Sequence, residues 1–279
     1  MLQEKVATCP VATPRLEFGA TTTPYAAYAG IDTLHSLLQP RTDASAERSF
    51  IVATQVMELL FGQLRHEWTQ AQSALRADDV PGAMAALRRS LGAQDVLTGS
   101  WDLLGTLTPI EFSSFRGALG EASGFQSYTY LYLEFLLGNK SKSVLKLYSA
   151  VPQVHAALVE SLHAPSLYDD VLALLHRRGL PVAWPSEANA TAAYVAREDV
   201  TKAWRLVYTD ESHGELAQLA ELLLDVAERV TRWRQRHLTA VKRCMGAKPG
   251  TGGSSGLSWL RKAADQDVFP ELWTVRNEL

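Results

Sequence analysis

The chain has 279 residues, 47% hydrophobic and 20% charged, with a formal net charge of −3, two cysteines and seven tryptophans. The apolar share suffices for a packed core and excludes global disorder, the mild acidic balance argues against a nucleic-acid partner, and Cys9 and Cys244 are too few for a disulfide framework or a thiolate zinc cage. No apolar run reaches the length of a membrane span, and the charged, Thr- and Pro-rich start lacks an apolar leader core, so a cytoplasmic protein without a membrane partner is expected.

Residues 1–24 show no period and read as a flexible N-terminal arm. Residues 25–279 read as a single all-α domain, since no alternating run is long enough for a sheet. The first strong helix is predicted over 46–72. Phe50, Thr54, Met57, Phe61, Leu64 and Trp68 recur at steps of four and three, which is one helix face, and Thr54 is the only polar residue among them. A core threonine bonded to a carbonyl one turn back is the ordinary reading of that position. A second helix is predicted over 80–104. Thr108-Pro109-Ile110-Glu111 carries the capping hydroxyl, the proline and the early acid of a helix start, for a helix through Arg116 that ends near Gly120. Ser123-Gly124 marks a turn, and a helix from about residue 125 ends before Gly138-Asn139.

Shorter helices are predicted over 141–150, 152–162 and 166–178, followed by a loop over 179–189 and a helix over 191–208. The longest periodic segment is 215–245. Leu219, Leu223, Val226, Val230, Trp233, His237, Ala240 and Cys244 share its apolar stripe, and Glu228, Arg232, Arg236, Lys242 and Arg243 its polar face. Gly246 closes it. A Gly/Ser run from Gly250 to Gly256 follows, then a short helix with Leu257, Trp259 and Leu260.

Three features bear on chemistry. His237 lies on the face its helix should bury. A lone histidine there is more often a core residue than a ligand, but a buried neutral imidazole also suits a single axial position on haem iron. The Gly250–Gly256 run lacks the Gly-Lys-Ser/Thr ending of a phosphate loop. It is open to two readings, a surface linker or a backbone cup for a carboxylate. Arg116 follows Phe112 and Phe115 on a proline-started helix. It reads as a surface arginine or as a two-pronged grip on a ligand carboxylate. Serine or cysteine catalysis has no supporting motif, and Arg88-Arg89 and Arg177-Arg178 read as solvated pairs.

Five segments together resemble the tryptophan 2,3-dioxygenase family: Glu121-Ala-Ser-Gly-Phe-Gln-Ser127, Glu134-Phe-Leu-Leu-Gly-Asn-Lys140, Arg236-His237-Leu238, Lys248-Pro-Gly-Thr-Gly-Gly-Ser-Ser-Gly256, and Phe269-Pro-Glu-Leu-Trp273. The likeness extends from about Tyr25 to the C-terminus. It implies an all-helical fold around haem b, with His237 as the iron ligand and Trp101, Ser123 and Trp233 beside the cofactor. It implies that Phe50 and Phe112 line the indole, that Arg116 holds the substrate carboxylate, and that Thr251, with Gly252, contacts the amino-acid head group. It also implies a homotetramer in which Tyr25-Ala-Ala-Tyr28 enters a neighbouring site, bringing Tyr25 and Tyr28 to the substrate. The partners would be O₂ and L-tryptophan or a substituted tryptophan.

One departure stands out. The family places a distal histidine four residues after the Phe50 position, and here that residue is Thr54. The exchange removes a basic acceptor for the indole N–H and makes Thr54 the candidate catalytic residue. It points toward insertion of a single oxygen at indole C2 to give an oxindole. Conventional ring cleavage to N-formylkynurenine is the alternative, because attack on the ring does not require prior loss of the N–H proton. A haem-free binding protein for indole amino acids is a third reading.

Overall fold

Helix capping and apolar periodicity place the helices close to their expected bounds. The computed structural model describes residues 22–184, 191–248, 250 and 256–279. These divide into two compact units, one reaching to Gln39 and one from Pro40 to Leu279. In the first, Thr23 caps the short helix α1 (Pro24–Ala29) through a bond from the Ala26 amide, and Gly30 joins it to α2 (Ile31–Ser36). Tyr25 and Tyr28 are exposed on α1. The arm expected over 1–24 falls almost wholly outside the described residues.

The second unit is built on three long or mid-length helices. α3 (Ser45–Arg76) turns at residues 77–79 into α4 (Val80–Gly105), so the two run antiparallel. The Trp68 indole donates to Ser90 Oγ at 3.1 Å, and Arg89 pairs with buried Glu67 at 2.8 Å. α10 (Gly214–Met245) runs parallel to α4. Gln94 donates to the Val226 carbonyl, Arg229 pairs with Asp95, Arg236 with Asp102, and Cys244 reaches the Leu104 carbonyl, all in the same chain direction. Glu47 locks the start of α3 by accepting from the Arg41 and Thr42 amides at 2.8 Å each.

α5 (Pro109–Arg116) starts on the expected Thr108 capping box. Gly124–Gln126 forms a 3₁₀ turn, and Ser127 then caps α6 (Tyr128–Leu136), so the helix begins three residues later than its apolar run suggests. The segment expected as a helix over 141–150 is a 3₁₀ run, Lys142–Tyr148. α7 (Pro152–His163) and α8 (Leu167–Arg177) follow as predicted. Residues 191–197 are not helical, and α9 spans Glu198–Thr209. α11 (Leu257–Ala264) matches expectation, whereas α12 (Pro270–Thr274) was not foreseen; Phe269 enters it at φ 51°.

The arginine pairs are not merely solvated. Besides the Arg89 pair, Arg177 donates to the Leu75 carbonyl at 2.6 Å and Arg178 pairs with Asp78 at 3.0 Å, which ties α8 to the α3–α4 turn. Among the described residues no strand occurs, and no helix is long and apolar enough to cross a membrane.

Candidate active site

The two apolar stripes are closed at one end of the bundle and open at the other. On α3, Met57, Phe61, Leu64 and Trp68 are buried, but Phe50 and Thr54 are only partly covered. On α10, Leu219, Leu223, Val226, Val230 and Trp233 are buried, while His237 and Cys244 are partly covered. Because α3 is antiparallel to α4 and α4 parallel to α10, both open ends lie at the same end of the bundle. α5 follows the α4 terminus there.

His237 is held by rings. Its imidazole stacks on Trp101 of α4, centroids 4.4 Å apart and planes 17° apart, and meets Trp233 at 5.5 Å. Trp233 in turn contacts Phe61 at 5.9 Å and Tyr130 at 5.0 Å. Burial pushes the imidazole pKa down from 6.5 to about 4, so the ring is neutral at pH 7 and one of its two nitrogens keeps a lone pair to donate.

A second cluster forms where α5 meets the start of α3. Phe50 lies 6.0 Å from Phe112 and 5.5 Å from Phe115, and the latter two meet edge-on at 5.4 Å. One turn after Phe50, the Thr54 hydroxyl bonds to the Phe50 carbonyl at 3.1 Å and the Ile51 carbonyl at 2.8 Å. The ordinary reading of that threonine therefore describes its geometry, and its proton is engaged by its own helix. Arg116 ends α5 and lines an open depression with Ser113, Gly117 and Gly120.

The remaining candidates divide. Ser123 caps the Gly124–Gln126 turn, accepting from the Phe125 amide at 3.3 Å. Phe125 meets Trp259 of α11 edge-on at 5.3 Å, which brings this turn to the helix after the Gly/Ser run. Thr251 and Gly252 lie outside the described residues. The described ends of that run converge: a Cβ on Gly256, whose φ is +58°, would stand 3.2 Å from the Lys248 carbonyl. Tyr25 and Tyr28 belong to the first unit.

One group escaped the sequence reading. Arg234, placed on neither face of α10, is buried, and its Nη2 donates to both Glu134 oxygens at 2.9 Å. Tyr130 and Asn139 also donate to that carboxylate. Burial by itself would raise the Glu134 pKa, but the guanidinium and these donors hold it low and the side chain charged. The available signal was an acid inside the apolar run Tyr128–Leu136, which needs a partner when buried.

A family sequence profile described as Tryptophan 2,3-dioxygenase matches residues 10–157 and 201–279. The chain belongs to that family. It is 42% identical over 258 residues to a Tryptophan 2,3-dioxygenase of Burkholderia pseudomallei (strain 1106a), covering 91% of this chain and 84% of the relative. It is 41% identical over 257 residues to one of Bacillus thuringiensis (strain Al Hakam), covering 91% and 92%. Tryptophan 2,3-dioxygenases are haem-dependent oxidoreductases, and this chain is an oxygenase of that type. The third reading, a haem-free binding protein, loses its basis.

The residues present fit the cofactor of this family. Among the described residues no group of three or more His, Cys, Asp or Glu side chains is placed to hold a bare metal ion. Haem brings its own equatorial nitrogens and needs one axial donor, which a neutral His237 can be. The two rings that contact His237, Trp101 and Trp233, each carry a buried indole N–H with no partner in the described structure, a pair of donors left for a bound polar group.

Proposed function

We propose that this tryptophan 2,3-dioxygenase family member inserts both atoms of O₂ into L-tryptophan and opens the indole C2–C3 bond, giving N-formylkynurenine. The observation that carries the reading is the neutral, ring-held His237 at the end of the bundle where the Phe50–Phe112–Phe115 cluster and Arg116 also lie. The expectation of single-oxygen insertion at C2 rested on Thr54. The relatives matched over 91% of the chain carry the 2,3-dioxygenase name. The Thr54 hydroxyl, bonded to its own helix, brings no new acid or base to an indole.

The bound haem supplies the iron at which O₂ is activated. His237 would hold that iron through a ring nitrogen, and Trp101, Trp233 and Ser123 would line the cofactor. Phe50 and Phe112 hold the indole by its faces. Arg116 takes the carboxylate through two parallel hydrogen bonds, and Thr251 with Gly252 contacts the amino-acid head group. Fixing both ends of the substrate orients the C2–C3 edge, where an error of about 1 Å can cost about a hundredfold in rate. Thr54 is shorter than an imidazole, which leaves room for a water or for a substituted tryptophan. Tyr25 and Tyr28 complete the site of a neighbouring subunit in a homotetramer.

The test is the product formed from L-tryptophan under ¹⁸O₂. Two labelled atoms in N-formylkynurenine are expected. One labelled atom in an oxindole would overturn ring cleavage in favour of C2 insertion.

A further inference from the structure

Arg234, three residues before His237 on α10, forms a buried pair with Glu134 of α6 that has no part in the chemistry above. Its connections run toward the histidine from two directions. Arg234 Nη1 donates to the Gln266 carbonyl at 2.9 Å, and Gln266 Nε2 donates to Asn139 Oδ1 at 2.9 Å, while Asn139 itself donates to Glu134. One closed circuit therefore joins α6, α10 and the segment after α11. On the other side, the Tyr130 hydroxyl donates to Glu134 while its ring packs on Trp233, 5.0 Å away, and on Phe61, 5.4 Å away. Trp233 is held through its backbone neighbour, Arg234, and through its ring neighbour, Tyr130. Trp233 is also a ring against which His237 rests, at 5.5 Å.

Stability alone is a poor account of this arrangement. A buried ion pair is often matched or bettered by apolar side chains of the same volume, because both charges must leave water. Arg234 Nε has no partner in the described structure, so the circuit leaves one buried donor unmade. What it does deliver is geometry. A bidentate guanidinium–carboxylate contact fixes orientation as well as distance, and a ring that is pinned by its own hydroxyl cannot slide along its neighbour.

We propose that Glu134, Arg234 and Tyr130 are positioning residues: their circuit fixes the Trp233 indole and thereby the tilt at which the His237 imidazole meets the cofactor iron. The proposal rests on the reading of His237 as the axial ligand.

Tyr130→Phe removes only the hydroxyl and keeps the ring, and Glu134→Gln keeps the shape and removes the charge. Full-length proteins are compared before and after loading with ferric haem. Two readouts do not depend on turnover: the tryptophan bands of near-ultraviolet circular dichroism before loading, and the iron–histidine stretching band of the reduced, loaded protein. Both variants are expected to weaken the first and to shift or broaden the second. Turnover should fall about tenfold with KM for tryptophan within about twofold, as misorientation without loss of a substrate contact requires. Wild-type values of both spectra in folded variants, with only a lowered melting temperature, would overturn the proposal and leave the circuit a brace between helices. If Glu134→Gln does not fold, Tyr130→Phe decides. A His237→Ala protein that keeps the wild-type haem spectrum would overturn the ligand reading itself, and its outcome is separate because the near-ultraviolet bands report on Trp233 without haem.

Discussion

Trp101 lies flat on His237, with ring planes only 17° apart. The stack covers one face of the imidazole and fixes its plane relative to α4, so a neutral donor is presented with little rotational freedom. Loss of the Trp101 ring should therefore act on the cofactor rather than on the fold. Trp101→Leu is expected to weaken haem retention about tenfold or more. Titration of the apoprotein with haem, followed by its visible absorption, checks this.

The depressed His237 pKa makes a prediction for the protein without cofactor. Burial holds the pKa near 4 against an ordinary value of 6.5. The unfolded chain thus binds a proton between those values that the folded chain refuses. The stability present above pH 6.5 is lost as pH falls from 6.5 to 4, and this group adds no further slope below that. Urea midpoints of wild type and His237→Gln across pH 4 to 7 should show the extra loss only in wild type.

Thr54 offers a direct test of its hydroxyl. Because that group bonds to the Phe50 and Ile51 carbonyls, Thr54→Val should leave kcat/KM for L-tryptophan within about threefold and change stability by about 1 kcal/mol or less. A loss of a hundredfold, measured by steady-state kinetics, would instead assign the hydroxyl to substrate or oxygen.

Arg116 is predicted to act on the carboxylate alone. Arg116→Ala should weaken binding of L-tryptophan by about 10- to 100-fold, the worth of a charge-assisted hydrogen-bond pair. Binding of plain indole should change little. Equal losses for both ligands in a calorimetric comparison would remove Arg116 from the carboxylate role.

Gly138 tests the packing under α6. Its φ is +93°, and an added Cβ would stand 2.7 Å from the Tyr194 ring and 3.3 Å from Ser166 Oγ. Gly138→Ala should cost about 2–4 kcal/mol from backbone strain and overpacking. A denaturant melt of the full-length protein measures it.

The sequence was most informative where burial follows period. The α10 stripe runs through Trp233 as read, because residues three and four apart share a helix face whatever they pack against. It was blind to Arg234, since its partner Glu134 is 100 residues away and a charge between two apolar turns looks like any solvated one. The start of α12 was equally hidden, because Phe269 adopts a positive φ that its side chain does not advertise. The site divides in the same way. The helix start places Phe112 and Arg116 together on one short helix, whereas their roles toward an indole and a carboxylate come only with the resemblance. That Trp101 meets His237 needed the resemblance to suggest it and the parallel course of α4 and α10 to display it.

The converging ends of the Gly250–Gly256 run have a consequence for how this protein can diversify. A side chain at Gly256 would stand 3.2 Å from the Lys248 carbonyl on a backbone at φ +58°, so this position is confined to glycine by both space and conformation. Of the residues that join α10 to α11, Gly256 is thus one that cannot be exchanged without a shift of the chain around it.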